Sequence, residues 1–125
     1  SSTMPNQQRV IDAVNHWNTQ LAGYIRLVPR TSESSYVLFQ SGSGCSSYVG
    51  RIGGAQAVTL ADGCSTGNAI HEIGHAVGLF HEHTREDRNT FVRVLTENIS
   101  STALHNFTQQ ISNASDIGTY DYNSV

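Results

Sequence analysis

Apolar residues recur at helical spacing between Pro5 and Gly23. Residues three or four positions apart lie on one face of a helix, so the pattern predicts an amphipathic helix that packs against a sheet. Proline suits the first turn of a helix and glycine suits its end, which sets the expected bounds. The apolar face of this helix would consist of Val10, Ile11, Val14, Trp17 and Leu21.

Four short segments are rich in β-branched and aromatic residues, and turn-forming residues separate them. This composition is typical of strands, because such side chains pack well on a pleated surface. Glycine, serine and proline between the segments indicate bends or turns. The strands are expected over residues 25–28, 36–40, 46–51 and 56–60.

A second helix is indicated downstream by apolar residues at positions i, i+3 and i+7. These residues are Ile70, Ile73 and Val77. A helix, then strands, then a helix predicts an α+β fold in which a twisted mixed β-sheet is backed by two long helices. Residues 99–111 predict a further short helix with Leu104, Phe107 and Ile111 on one side.

Length and composition narrow the class of protein. A chain of 125 residues can form one compact domain that buries roughly two-thirds of its unfolded surface. Seven basic residues stand against ten acidic ones, for a net charge of -3, and no basic block is present, which argues against a nucleic-acid partner. No apolar run approaches the length of a membrane span. Since the first residues carry no export signal, we expect any such signal to have been removed or left out.

The run from His71 to His81 carries the candidate chemistry. His71 and His75 are four residues apart, so on a helix their imidazoles project from one face, close enough to hold a single metal ion. Glu72 would reach a water molecule on that metal without being a ligand, which is where a general base must lie. Gly78 can adopt the left-handed conformation that ends a helix, so the chain can turn and return His81 as a third ligand.

Three histidine ligands leave a fourth coordination position open, which distinguishes a catalytic zinc site from a structural one. We therefore predict one Zn²⁺ per chain, held by His71, His75 and His81, with Glu72 as the catalytic residue. A bare HExxH also occurs by chance among ordinary surface or core histidines. The third histidine after Gly-x-x extends the pattern to the metzincin form and favours the metal site.

Cys45 and Cys64 are the only cysteines. The residues alone leave open a disulfide, two free buried thiols or a pair of metal ligands. A disulfide would stabilise the fold by about 3 kcal/mol in the chain-entropy model and would indicate an oxidising compartment.

The run HEIGHAVGLFHEHTREDR at residues 71–88 resembles the signature of the astacin family of zinc endopeptidases, in which the third histidine is followed by Glu and then by Arg-x-Asp-Arg. The likeness extends to residues 25–31, 42–51 and 120–125. It implies a metzincin-like zincin fold with the zinc helix at the active-site cleft, a secreted, extracellular protein, and a disulfide between Cys45 and Cys64.

The resemblance also implies roles outside the motif. One segment matches the family's sheet edge above the cleft, where an extended peptide substrate adds as an extra strand; the alternative is an ordinary edge strand. This substrate-binding segment consists of Cys45, Ser46, Ser47 and Tyr48. Glu82 matches a glutamate linked to the amino terminus of the mature enzyme, so it would support the metal centre without binding metal. With Arg85, Asp87 and Arg88 it is expected to form an ion-pair network that ties the turn after His81.

Two subdomains are implied as well. Residues 1–81 would form an amino-terminal subdomain that ends at the third zinc ligand, and residues 82–125 would begin a carboxyl-terminal one. The chain ends at Val125, on the threshold of the family's Met-turn, and lacks the methionine and tyrosine found there. We therefore expect a partial catalytic domain.

The leading functional hypothesis is a zinc-dependent endopeptidase that hydrolyses internal peptide bonds of proteins. Glu72 would take a proton from a metal-activated water and pass it to the departing amine. The alternative is a zinc-binding module that recognises extended peptides without cleaving them, or an inactive fragment without the Met-turn tyrosine. A purely structural zinc domain is disfavoured, because such sites usually fill the fourth position from the protein.

Overall fold

The computed structural model describes residues 4–109 and 112–125, and the chain divides into two compact units. The first unit is Ser1–Leu79 with Val125, and the second is Phe80–Ser124. The division expected from the resemblance, 1–81 and 82–125, stays a prediction. Within the described ranges, neither helix combines the length and the apolar character that a membrane span needs.

The first unit contains two helices and one mixed sheet, which confirms the predicted α+β class. Its elements are α1 (Gln8–Gln20), β1 (Tyr36–Gln40), β2 (Cys45–Ser47), β3 (Ala55–Leu60) and α2 (Thr66–Ala76). The strand order is β1-β3-β2. Strand β3 pairs in parallel with β1 and antiparallel with β2, so that Tyr36 lies opposite Ala55 and Cys45 lies opposite Leu60.

The core of this unit lies around the central strand β3 and helix α2. Alternate residues of β3 are buried, which places the apolar Val58 and Leu60 on one face of the strand. Ile73 of α2 joins the same apolar cluster, as does Trp17 of α1. Trp17 also donates its indole N–H to the Ile70 carbonyl at 3.0 Å, so the two helices are joined by both packing and a hydrogen bond.

The strand expected over residues 25–28 is absent from the described residues, and a side chain explains why. Asn18 on α1 accepts a hydrogen bond from the Leu27 amide at 2.7 Å and donates one to the Leu27 carbonyl at 2.9 Å. Both backbone groups of Leu27 are therefore satisfied without a neighbouring strand. The strand expected over 46–51 is also shorter than predicted, because β2 ends at Ser47.

The buried faces of the helices differ from the apolar patterns at their ends. Ile11 is 49% exposed and Val77, which caps α2 beyond its last turn, is 37% exposed. Arg9 is instead buried, because its guanidinium reaches the loop after β3. It donates to the Ala61 carbonyl at 2.7 Å and to the Cys64 carbonyl at 2.5 Å. The buried face of α1 therefore includes the guanidinium of Arg9, which hydrogen-bonds loop carbonyls, although only apolar residues were expected there.

The second unit is built from short 3₁₀ turns, the last of which is Leu104–Phe107. The helix predicted over 99–111 is therefore wrong for the described residues outside this turn, and residues 110 and 111, which include Ile111, lie outside the described residues. Arg85 organises the unit, since it forms a two-pronged ion pair with Asp87, with both N–O distances at 2.9 Å. It also donates to the carbonyls of Ile117 and Gly118. The expected network thus includes Arg85 and Asp87.

Arg88, in contrast, is not among the ion pairs of the described residues. Its guanidinium donates to the backbone carbonyls of His83, at 3.0 Å, and Phe107. Both acceptors are uncharged, so this arginine ties two turns of the second unit together without a carboxylate.

The Cys45–Cys64 disulfide joins the start of β2 to the loop before α2. We expect the double variant Cys45→Ala/Cys64→Ala to lose about 3 kcal/mol of unfolding free energy, because its unfolded chain is no longer cross-linked. Guanidinium unfolding with and without reductant measures this loss. Reductant should destabilise the wild-type chain and leave the double variant unchanged; equal midpoints for all four samples would contradict the prediction.

The Arg85–Asp87 pair predicts a pH-dependent stability. The hydrogen bond from Arg85 lowers the pKa of the Asp87 carboxyl below its ordinary value. Because that pKa is depressed in the folded state, the stabilisation is present above about pH 4 and is lost as the pH falls through the lower folded pKa. Asp87→Asn should therefore destabilise the chain at pH 7, with the difference from wild type shrinking in acid.

Unfolding curves between about pH 7 and about pH 2 measure this dependence. Glu86→Gln is the matched control, since Glu86 is the neighbouring exposed carboxylate. A destabilisation by Asp87→Asn that stays constant over the whole pH range would contradict the prediction.

Candidate metal centre

The metal centre begins with a well-capped helix. Ser65 accepts a hydrogen bond from the Asn68 amide at 3.2 Å, and the Asn68 side chain accepts one from the Ser65 amide at 2.8 Å. This reciprocal capping box satisfies amide groups that the first turn of α2 would otherwise leave unpaired. One turn apart on this helix, the rings of His71 and His75 meet edge to face with their centroids 4.4 Å apart.

The end of α2 reverses the chain. Gly78 adopts φ of 109°, as predicted from its position, and its amide donates to the His75 carbonyl at 2.9 Å. The Leu79 amide donates to the Gly74 carbonyl at 2.9 Å. These two bonds form a Schellman motif, which satisfies the last carbonyls of the helix. Only glycine adopts such a φ without steric cost, so the sequence ends the helix shortly before His81.

The three histidines of the motif are close in space. His71, His75 and His81 each offer one ring nitrogen, and these nitrogens all lie within 4.8 Å of one another. His75 is 8% exposed, His71 is half-buried and His81 is exposed. The His81 backbone is held by Thr84, whose amide and hydroxyl both donate to the His81 carbonyl, at 2.9 and 2.8 Å.

The tautomer of His75 follows from its hydrogen bond. Its Nδ1 lies 2.8 Å from the Leu79 carbonyl oxygen, which can only accept, so Nδ1 carries the proton. The lone pair of the neutral ring is then on Nε2. A histidine that donates one ring N–H to a carbonyl and offers the other nitrogen is arranged as metal-binding histidines usually are. No residue pattern signals this acceptor, because it is a backbone group whose position is set by the turn.

Glu72 is buried beside the histidines. Glu72 is only 5% exposed, and its Oε2 has no hydrogen-bond partner within the described part of the chain. Burial raises the pKa of the Glu72 carboxyl above its ordinary value, and the nearby His71 and His75 rings oppose that shift. An unpartnered buried carboxylate oxygen is costly in a core, which points to a group that the site is built to receive.

The donor set fits a zinc ion. Neutral imidazole nitrogens are ordinary zinc ligands, and tetrahedral zinc with Zn–N bonds of about 2.1 Å needs nitrogens about 3.4 Å apart. The three nitrogens of the cluster lie within 4.8 Å of one another, so they converge on a region that one ion could occupy. If these three nitrogens bound a tetrahedral zinc ion, one coordination position would remain for a substrate or a water molecule.

The segment Cys45, Ser46, Ser47, Tyr48 lies at the edge of the sheet in the described structure. Its first three residues form β2, which pairs only with β3 among the described strands. Tyr48 follows directly and is 61% exposed. One side of β2 therefore offers backbone groups to an added strand.

Glu82 joins the Arg85 network. Its Oε1 lies 3.4 Å from Arg85 Nη1 and accepts a hydrogen bond from the Asp121 amide at 2.8 Å. The side chain thus ties the turn after His81 to the segment at residues 117–121. The carboxylate is held by these contacts on its own unit.

Gln56 is a buried polar residue that the sequence interpretation missed. It is 4% exposed, and its amide hydrogen-bonds backbone groups of the loop that follows β2. The signal was present in the strand itself: Gln56, Val58 and Leu60 alternate, so Gln56 had to lie on the core face. A glutamine at such a position requires hydrogen-bond partners.

Comparison with known proteins identifies relatives of the chain. The family model Astacin, which describes a family of peptidases, matches residues 1–125. The chain is 40% identical over 125 residues to tolloid-like protein 2 of Mus musculus, covering 94% of this chain and 12% of the relative. It is 41% identical over 105 residues to astacin-like metalloprotease toxin 1 of Loxosceles intermedia, covering 81% of this chain and 40% of the relative.

Solved structures agree. High choriolytic enzyme 1, a hatching enzyme zinc-protease from Oryzias latipes, superposes with a TM-score of 0.87 at 32% identity, covering 99% of this chain and 62% of that one. Myroilysin superposes with a TM-score of 0.54 at 20% identity, covering 92% of this chain and 67% of that one, and shares the fold.

The chain spans between 12% and 18% of the length of the first three curated relatives, so it corresponds to one part of each. This chain carries the three-histidine cluster and Glu72. With a family model that matches it from residue 1 to residue 125, the chain belongs to the astacin family of peptidases.

Proposed function

We propose that this chain is the metal-binding part of a zinc-dependent endopeptidase that hydrolyses internal peptide bonds of proteins. The observation that carries the proposal is the buried Glu72 carboxylate, whose Oε2 has no hydrogen-bond partner among the described residues, beside three convergent histidine nitrogens. A structural zinc site requires only its ligands, whereas a hydrolytic site also requires a general base that does not bind the metal. Family membership and the zinc-protease named among the solved structures support the same conclusion.

His71, His75 and His81 would hold one Zn²⁺ as neutral imidazoles. The contact between His75 Nδ1 and the Leu79 carbonyl supports this role, because it leaves Nε2 as the ligand atom. When bound, zinc acidifies water and withdraws electron density from a substrate carbonyl oxygen. The chain orients the ligands through the helix, the turn at Gly78 and the hydrogen bonds from Thr84 to the His81 carbonyl.

Glu72 would move the proton of the reaction. Its carboxylate accepts a proton from the attacking water and delivers it to the nitrogen of the leaving amine. Burial raises the pKa of the Glu72 carboxyl. This shift suits both steps, because a carboxylate with a raised pKa accepts the proton of water more readily and can then act as the acid that delivers it. The same burial limits competing hydrogen bonds from solvent, so the unpartnered Oε2 stays available.

The substrate would bind in extended conformation along β2. The edge position of Cys45–Ser47 and the exposure of Tyr48 support strand addition, in which backbone hydrogen bonds give affinity. Glu82 would fix the turn after His81 through Arg85 and Asp121 without binding metal. The disulfide supports secretion to an oxidising, extracellular environment.

Replacement of Glu72 by glutamine tests the base. We expect Glu72→Gln to bind one zinc ion per chain and to lose at least about a hundredfold in kcat/KM, because the amide cannot accept the proton. The assay is cleavage of a quenched fluorescent peptide or of casein by the zinc-loaded chain. A chelator should abolish the wild-type activity. A variant that retains most of its activity would remove Glu72 from the mechanism, and a wild-type chain that binds peptide but leaves it intact would favour a recognition module.

Replacement of a ligand tests the metal site separately from turnover. We expect His75→Ala to reduce bound zinc, measured by atomic emission after dialysis, from one equivalent per chain to near zero, because the most buried ligand is lost. His105→Ala is the matched control, since His105 is exposed and lies outside the cluster. Equal zinc contents in the two variants would exclude the proposed site.

A further inference from the structure

The Gln56 side chain forms a clamp on the loop at residues 48–52, which connects β2 to the glycine turn before β3. Its Oε1 accepts a hydrogen bond from the Ile52 amide at 3.0 Å. Its Nε2 donates to the Gly50 carbonyl at 2.9 Å and to the Tyr48 carbonyl at 3.4 Å. One buried side chain thus contacts three backbone groups of a loop that has no strand partner among the described residues.

The clamped loop contacts the carboxyl end of α2, the helix that carries His71 and His75 and is called the metal helix below. Gly50 adopts φ of 75°, and its amide donates to the His75 carbonyl at 2.8 Å. That carbonyl also accepts the Gly78 amide, so the loop bond and the Schellman turn converge on one oxygen. The chain of contacts runs from Gln56 to Gly50 and then to the backbone of a candidate ligand.

A glutamine is an energetically unfavourable choice for this position on packing grounds alone. Burial of an amide costs free energy that its hydrogen bonds only just recover, and the neighbouring core positions Val58 and Leu60 are filled by apolar side chains. An apolar residue would serve packing equally well but would leave three loop groups without their buried partner. The amide therefore serves the position of the loop, which in turn sets the direction in which Tyr48 leaves the sheet edge.

We propose that Gln56 is a positioning residue that holds the peptide-binding edge in register with the metal helix. The proposal rests on the proposed function, because it concerns how the bound peptide is aligned. The Gln56 amide contacts backbone groups of the loop and is not among the candidate metal ligands. Its effect passes through the Tyr48 and Gly50 carbonyls to the edge strand, and through the Gly50 amide to the carboxyl end of α2.

The test is Gln56→Met, which keeps the length of the side chain and removes the amide. It is made in the Glu72→Gln background so that the probe, fluorescein-labelled β-casein as an unfolded polypeptide, is bound and not cut. We expect the Kd for this probe to rise about tenfold, since the lost loop hydrogen bonds loosen the edge. Zinc should stay at one equivalent per chain, and amide exchange at Gly50 and Ile52 should become faster.

Gln40→Met is the matched control, because Gln40 lies on the adjacent β1 and its amide contacts Thr59 outside the loop. It should leave the Kd and both exchange rates unchanged. Unchanged casein binding in Gln56→Met, with faster exchange at Gly50, would overturn the positioning role. Equal weakening in the two variants would overturn it too, by showing a general effect of the sheet.

Ile52→Pro is a second variant that tests the positioning role if Gln56→Met does not fold. It removes one hydrogen bond of the clamp by a change at an exposed position. Ile52 is 53% exposed, so its replacement opens no cavity in the core. Proline lacks the backbone N–H that donates a hydrogen bond to Gln56 Oε1. It should weaken casein binding in the same way, and wild-type affinity in Ile52→Pro would refute the clamp. A Glu72→Gln chain with intact Gln56 that binds no casein would refute the proposed function, and with it the substrate role of the clamp.

Discussion

The structure depends on how the carboxyl end of α2 satisfies its last carbonyl groups. A helix leaves four carbonyls without intrahelical partners, and here the His75 carbonyl receives the amides of Gly78 and Gly50. The first bond turns the chain so that His81 follows within three residues, and the second fixes the loop after the sheet edge. The same turn positions the Leu79 carbonyl, which accepts a hydrogen bond from the ring N–H of His75. The turn at Gly78 thus determines both where the chain leads to His81 and which tautomer the His75 ring adopts.

Buried polar side chains fix two loops of the first unit. The apolar cluster includes Val58, Leu60 and Ile73, and the first unit adds a disulfide and the loop-binding polar side chains of Arg9 and Gln56. Arg9 satisfies carbonyls of the loop before α2, and Gln56 satisfies the loop before β3. Each of these loops is therefore fixed by a side chain from a regular element, a common way to give precise geometry to irregular backbone.

Sequence patterns predicted what local chemistry determines. Helical spacing indicated α1 and α2, and the position of Gly78 indicated the turn that precedes His81. The patterns failed where a distant side chain replaced a backbone partner: Asn18 occupies both hydrogen-bonding groups of Leu27, so an apolar β-type segment is no strand. They also failed at element ends, where Val77 caps a helix and stays exposed. The burial of Glu72 depends on tertiary packing, and the partner of His75 is a backbone carbonyl positioned by the turn, so no rule of side-chain spacing contains either.

X-ray absorption at the zinc edge, on the chain loaded with one equivalent of zinc, tests the central claim most directly. We expect three imidazole nitrogens at about 2.0–2.1 Å together with one further light ligand, because the proposed site leaves the fourth position open. Fewer than three imidazoles, a sulfur ligand or a fourth protein nitrogen would contradict the arrangement of His71, His75 and His81 around an open site beside Glu72.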